Sequence, residues 1–266
     1  MSEGSAAIGR TVRAGLAGWS PGVRGCAAAL VVGAGLSLLP RFLPPGLSLL
    51  DLPLEYAAAT LAYGALYRAG FEGPRGWNGL RWGREEWRLL AVQLLIAVIM
   101  TVVMAVLFVI IVGVALGVAR STSPDFDATS AQAWRQALSG PGAILAGLVP
   151  LASLALLAWI GLRLALAPAA TIDRGRIQVL SAFRLTRGAV LTLLAAGLVL
   201  VAPAIILAMA LGYVRAVVGV SRGAPLAQLL GVGLLFFYLI PVWTAALVDV
   251  YSHQTPVAKP PGTAAS

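Results

Sequence analysis

Charge is what this chain lacks most. Only 11% of its 266 residues are Asp, Glu, Lys or Arg, against roughly 25% in an ordinary soluble domain. Hydrophobic residues make up 59%. So little polar surface cannot cover a water-facing exterior of this size, which excludes a typical soluble enzyme and a disordered chain. Cysteine is almost absent: Cys26 stands alone, so no intramolecular disulfide framework exists. His253 is the sole histidine, which excludes multi-histidine metal sites. No HExxH, Walker A or dinucleotide fingerprint occurs, and no cofactor or metal is expected. Lysine is nearly missing too. Lys259 is the only one, and the net charge of +9 rests on arginine.

What the sequence has is long apolar runs. A membrane helix needs about 20 mostly apolar residues. Six stretches approach or meet that: 24–40, 52–70, 88–119, 143–168, 189–214 and 225–250. They are too long and continuous for barrel strands. The expected fold is therefore all-α, a polytopic membrane helix bundle forming one domain over 1–252, with a disordered cytoplasmic tail over 253–266. Arg10, Arg13 and Arg24 before the first run resemble a signal n-region, but Pro40, Arg41 and Phe42 follow it instead of a small-residue cleavage site. The run reads as an uncleaved first span.

The cations divide unevenly between the two sides of this arrangement. Fourteen fall on the side of the termini and five on the other. That bias places both termini in the cytoplasm of a bacterial inner membrane. The arginines lie between apolar runs rather than in one patch, which argues against nucleic acid. Anionic lipid headgroups are the expected partner, with a membrane protein partner as the other candidate.

Residues 6–19 carry Ile8, Val12, Leu16 and Trp19 in one sector of a helix, with Arg10 and Arg13 opposite. The pattern predicts an amphipathic helix lying at the membrane surface. The linker 71–88 mixes Trp77, Trp82 and Trp87 with arginines, as an interfacial aromatic belt does. Glu85 and Glu86 suit the first turn of the third span, where the helix dipole favours anions. In the outer loop, Ala131, Trp134 and Leu138 predict one short surface helix. Asp125 and Asp127 lack the further ligands of a calcium loop.

Pro150, Pro203 and Pro241 interrupt the last three spans and are candidate hinges, although proline is also ordinary in membrane helices. Gly113 and Gly117 form a GxxxG motif, read as close helix packing, with a dimerisation face as the alternative. The linker 171–188 does not separate into wet and apolar faces. Part of it is expected to lie against the bundle, with Asp173 pairing to Arg163. Arg163, Asp173, Arg184 and Arg187 form the candidate lipid-binding or loop-pinning cluster.

One stretch matches a catalytic pattern. Gly219-Val-Ser221-Arg-Gly223 fits G-x-S-x-G, and Asp249 and His253 follow in hydrolase order. Ser221 falls on the outer side, however, and His253 just past the inner end of the last span, roughly 35–40 Å away at 1.5 Å per helical residue. A base must come within about 3 Å of its nucleophile, so the match is a chance one and no enzyme activity is expected.

Arg163-Leu-Ala-Leu-Ala-Pro168-Ala-Ala-Thr-Ile-Asp173, followed by Ala182-Phe-Arg-Leu185-Thr-Arg187-Gly188, resembles bacterial six-span proteins similar to the membrane domain of glycerophosphodiester phosphodiesterases. The opening around Ile8 and the closing Ala-Leu-Val-Asp-Val-Tyr251 are also similar to that group. The resemblance implies a six-helix inner-membrane protein. The phosphodiesterase barrel of some relatives is absent here, so its activity is not implied. The function expected is therefore a non-catalytic one, organising lipids or partner proteins at the cytoplasmic face. The alternative is a transporter or permease component, supported by the proline-interrupted spans and by Glu55.

Overall fold

A computed structural model describes residues 3–73, 77–123, 126–137, 142–218 and 224–255. The G-x-S-x-G stretch, Arg75, Asp125, Leu138 and Lys259 lie outside the described residues. All regular structure among the described residues is helical, apart from an isolated bridge between Trp77 and Leu80.

The chain runs through α1 (Glu3–Gly25), α2 (Ala27–Leu38), 3₁₀ turns at Leu39–Phe42 and Pro45–Leu50, and α3 (Asp51–Glu72). Next come α4 (Arg84–Thr122), α5 (Ala131–Ala137), α6 (Gly142–Leu164), α7 (Ala167–Arg174) and α8 (Ala182–Leu185). The last are α9 (Val190–Val218), α10 (Ala224–Leu234), a π turn at Leu235–Leu239 and α11 (Ile240–Gln254). Among the described residues four helices are long and apolar enough to cross a membrane: Arg84–Ser121, Ala146–Arg174, Val190–Ala210 and Ala227–Gln254. A fifth is counted if α1 and α2, bent by 87° at their junction, form one broken span.

The expected first span is therefore short. α2 has 12 helical residues, about 18 Å at 1.5 Å per residue, against a hydrocarbon layer of about 30 Å. Pro40, Pro44 and Pro45 cause this, because each removes a backbone donor and the chain tightens into 3₁₀ turns. α3, the expected second span, is 22 residues long, and its stretch 58–68 is buried almost throughout.

The described residues form two compact units: one up to Leu94 and from Arg163 onward, the other Leu95–Leu162. In the first, α2 and α3 pack as a hairpin. Ala29, Leu30 and Ala34 meet Ala58, Ala62 and Ala65, with Phe236 of the π turn against them. These small side chains let the backbones come close; a Cβ at Gly33 would stand 2.8 Å from the Phe236 ring. α1 lies on α11 and α9. Gly15 and Gly18 form the contact, since added Cβ atoms would come within 3.0 Å of the Val242 carbonyl and 2.6 Å of Ala245 Cβ.

In the second unit the apolar face of α4 is unburied. Val98, Val102, Phe108 and Val109 are all exposed. A helix that is apolar all round and yet uncovered needs an apolar solvent, which identifies a membrane-embedded protein. Among the described residues an added Cβ at Gly113 or Gly117 meets no atom within 4 Å. α5 is the short helix expected of the outer loop. Its Trp134 donates to the Ala128 carbonyl at 2.9 Å and meets the Phe126 ring edge-on.

Candidate functional site

The linker after α7 begins at Gly175, whose left-handed φ of +60° ends the helix and sends its N–H back to the Ile172 carbonyl. Beyond Gly175 the linker is half inside and half outside. Val179, Ala182, Thr186 and Ala189 are buried. The Thr186 hydroxyl donates to the Ala182 carbonyl at 2.9 Å, with the Arg163 carbonyl a second acceptor at 3.2 Å. Arg163 Nη1 in turn donates to the Phe183 carbonyl at 2.9 Å. Arg163 and Thr186 thereby tie the linker to the end of α6.

The outward half carries the cations. Arg176, Arg184 and Arg187 are exposed, and so are Ile177 at 51% and Leu180 at 77%. Exposed apolar side chains and cations within one short segment make a composition that suits a membrane surface.

Asp173, which the sequence pairs with Arg163, is met by Tyr251 near the end of α11, whose hydroxyl donates to Asp173 Oδ2 at 2.7 Å. The Tyr251 ring also meets Phe71 of α3 edge-on. Of the four cluster residues, Arg163 pins the linker and Asp173 pins α7 to α11. Asp173, Arg184 and Arg187 are all exposed.

A second polar group sits where α1 crosses α11. Arg10 Nε lies 3.8 Å from the Asp249 carboxylate, Thr11 donates to it at 3.5 Å, and His253 Nδ1 stands 3.5 Å away. Asp249 and His253 thus do meet, one helical turn apart, although Ser221 lies outside the described residues.

Sequence reasoning missed the most deeply buried charge. Arg68 on α3 and Glu86 on α4 form an ion pair with side chains 2% and 1% exposed. Arg68 Nη2 also donates to the Gly79 carbonyl at 3.1 Å, and Glu86 Oε2 accepts the Gly83 N–H at 2.7 Å. The latter bond is half of a capping box, with Gly83 just before the helix and Glu86 three residues on. Gly79 allows the approach: its φ is +78°, and a Cβ there would lie 3.1 Å from Ala65 and Cys26 atoms. The Gly-x-x-Glu spacing before an apolar run was the available signal.

The candidate hinges differ in their support. Pro150 and Pro203 lie inside continuous helices. Pro241 follows the π turn, in which the Ile240 N–H reaches back five residues to Leu235. Tyr238 Oη donates to the Leu200 carbonyl at 3.1 Å, one turn before Pro203. Glu55, the acid that favoured transport, accepts the Ser37 hydroxyl at 3.1 Å on both oxygens.

Compared with family models, with curated proteins and with solved structures, the chain matches none.

Proposed function

We propose that this is a non-catalytic, multi-pass protein of the bacterial inner membrane that gathers anionic lipid headgroups at its cytoplasmic face. The observation that carries the reading is the linker 175–188, which exposes Ile177 and Leu180 beside Arg176, Arg184 and Arg187. A six-span count adds α2 and α3 to the four long helices. Whether that hairpin crosses fully or dips in and returns, the number of crossings stays even, so the termini share a side. The excess of arginine on that side supports a cytoplasmic assignment. The 87° bend between α1 and α2 supports an α1 that lies along the surface before the chain turns inward.

The test is native mass spectrometry of the full chain in mild detergent with phosphatidylglycerol added. The native chain is expected to retain the anionic lipid. The Arg184→Ala and Arg187→Ala variants are expected to lose it while keeping their helical circular dichroism. Equal retention by all three chains overturns the reading.

A further inference from the structure

A cavity of about 430 Å³ lies between α1, α3 and α11. Small residues line much of it, among them Ala14, Gly18 and Gly22 from α1, Gly70 from α3 and Ala245 from α11, with Leu66 as a larger side chain beside them. The three helices already touch beside it. Added Cβ atoms would come 2.6 Å from Ala245 at Gly18, 3.2 Å from Leu66 at Gly22 and 3.0 Å from Val248 at Gly70. Sliding the helices together therefore cannot close the space. The cavity opens to the surface and its lining is mostly apolar, so it favours an apolar occupant.

Asp249 lines the same cavity. Among the described residues its carboxylate has no partner closer than 3.5 Å, with Thr11 and His253 at that distance and Arg10 at 3.8 Å. The His253 ring nitrogen is engaged with the Asp249 backbone carbonyl at 2.8 Å. Arg10 is half exposed and Asp249 is 16% exposed. An acid and a base are thus held loosely side by side at the edge of an apolar hole.

We propose that this cavity holds one acyl chain of an aminophospholipid, with the lipid ammonium on Asp249 and its phosphate on Arg10. The match is chemical. A primary ammonium offers three N–H donors to an under-coordinated carboxylate, and a guanidinium forks onto phosphate oxygens. A glycerol headgroup lacks the cation, and a choline headgroup has the charge but no N–H to donate. The site is separate from the linker arginines and takes a different headgroup class.

The experiment offers the full chain, in mild detergent, equal amounts of phosphatidylethanolamine, phosphatidylcholine and phosphatidylglycerol with identical chains. Bound lipid is read by native mass spectrometry. The ethanolamine lipid is expected to survive at collision energies that strip the choline lipid. Ala69→Leu, which fills the cavity from α3, is expected to lose it, and Ala14→Leu does the same from α1 should the first variant fail to fold. Asp249→Asn is expected to bind the ethanolamine and choline lipids alike. Arg184→Ala and Arg187→Ala are expected to leave the ethanolamine lipid bound, which separates this site from the linker. Equal survival of ethanolamine and choline lipids on the native chain overturns the proposal. So does ethanolamine-lipid binding unchanged by the cavity-filling variants, or abolished by the linker variants alone.

Discussion

The Trp19 indole N–H donates to the Phe237 carbonyl at 2.6 Å, and Phe237 is four residues before Pro241. In a regular helix residue 241 supplies the N–H for that carbonyl, and proline has none. A side chain on α1 therefore satisfies an acceptor that the proline orphans on the last span. Trp19 also packs edge-on against Tyr238, so the π turn, the proline and α1 form one joint.

Removing the donor tests this joint. Trp19→Phe keeps a ring and loses the N–H, at a cost of about 1 kcal/mol. Pro241→Ala supplies a backbone N–H to the same carbonyl, so the cost of Trp19→Phe is expected to shrink in that background. Thermal unfolding of the four chains in detergent measures the coupling, and additive effects would refute it.

The Arg68–Glu86 pair predicts a steep asymmetry. Breaking a buried ion pair from one side costs about 3–5 kcal/mol, whereas replacing both members by apolar groups is often nearly neutral. Arg68→Met is expected to destabilise strongly, and Arg68→Met with Glu86→Leu to recover much of the loss. Melting temperatures decide; a double variant no better than the single one would show that the Gly79 and Gly83 bonds matter more than the pair.

Two sets of small residues should respond in opposite ways. Gly18→Val drives a side chain into Ala245, and overpacking of this kind costs about 1–3 kcal/mol. Gly113→Val and Gly117→Val meet open space and are expected to leave the melting temperature of the monomer unchanged. A change in the sedimentation of the detergent-solubilised chain on Gly113→Val would reveal association through that face.

Asp127 gives a pH signature in the loop before α5. The Thr129 hydroxyl, at 2.7 Å, and the Thr129 N–H, at 2.9 Å, both donate to its carboxylate and hold its pKa below the usual aspartate value. Because the folded value is lowered, the turn keeps its full support above the ordinary aspartate range and loses it as pH falls through the lowered value. The Thr129 amide NMR signal is expected to titrate with a midpoint below that of a free aspartate, and Asp127→Asn to abolish the titration. A midpoint at or above the free value would contradict the turn.

The membrane character, the helical class and the four long helices are legible in the sequence, because an apolar run of span length has one solution in lipid: each backbone group must find its partner within its own segment. The Pro40, Pro44 and Pro45 break is legible for the same local reason. So is the placement of Glu85 and Glu86 in the first turn of α4. The partners are not legible. Arg68 finds Glu86 across 18 positions, Asp173 finds Tyr251 across 78 and Trp19 finds Phe237 across 218. Periodicity reports which face of a helix is apolar, but which helix covers that face depends on packing between segments distant in sequence. Gly113 and Gly117 carry the GxxxG spacing and Gly15 and Gly18 do not, yet the fold sets α11 against the latter pair and, among the described residues, leaves the former uncovered. Local backbone chemistry determined the elements; tertiary packing alone decided which side chains meet, because the energy of each meeting depends on a neighbour that no local pattern encodes.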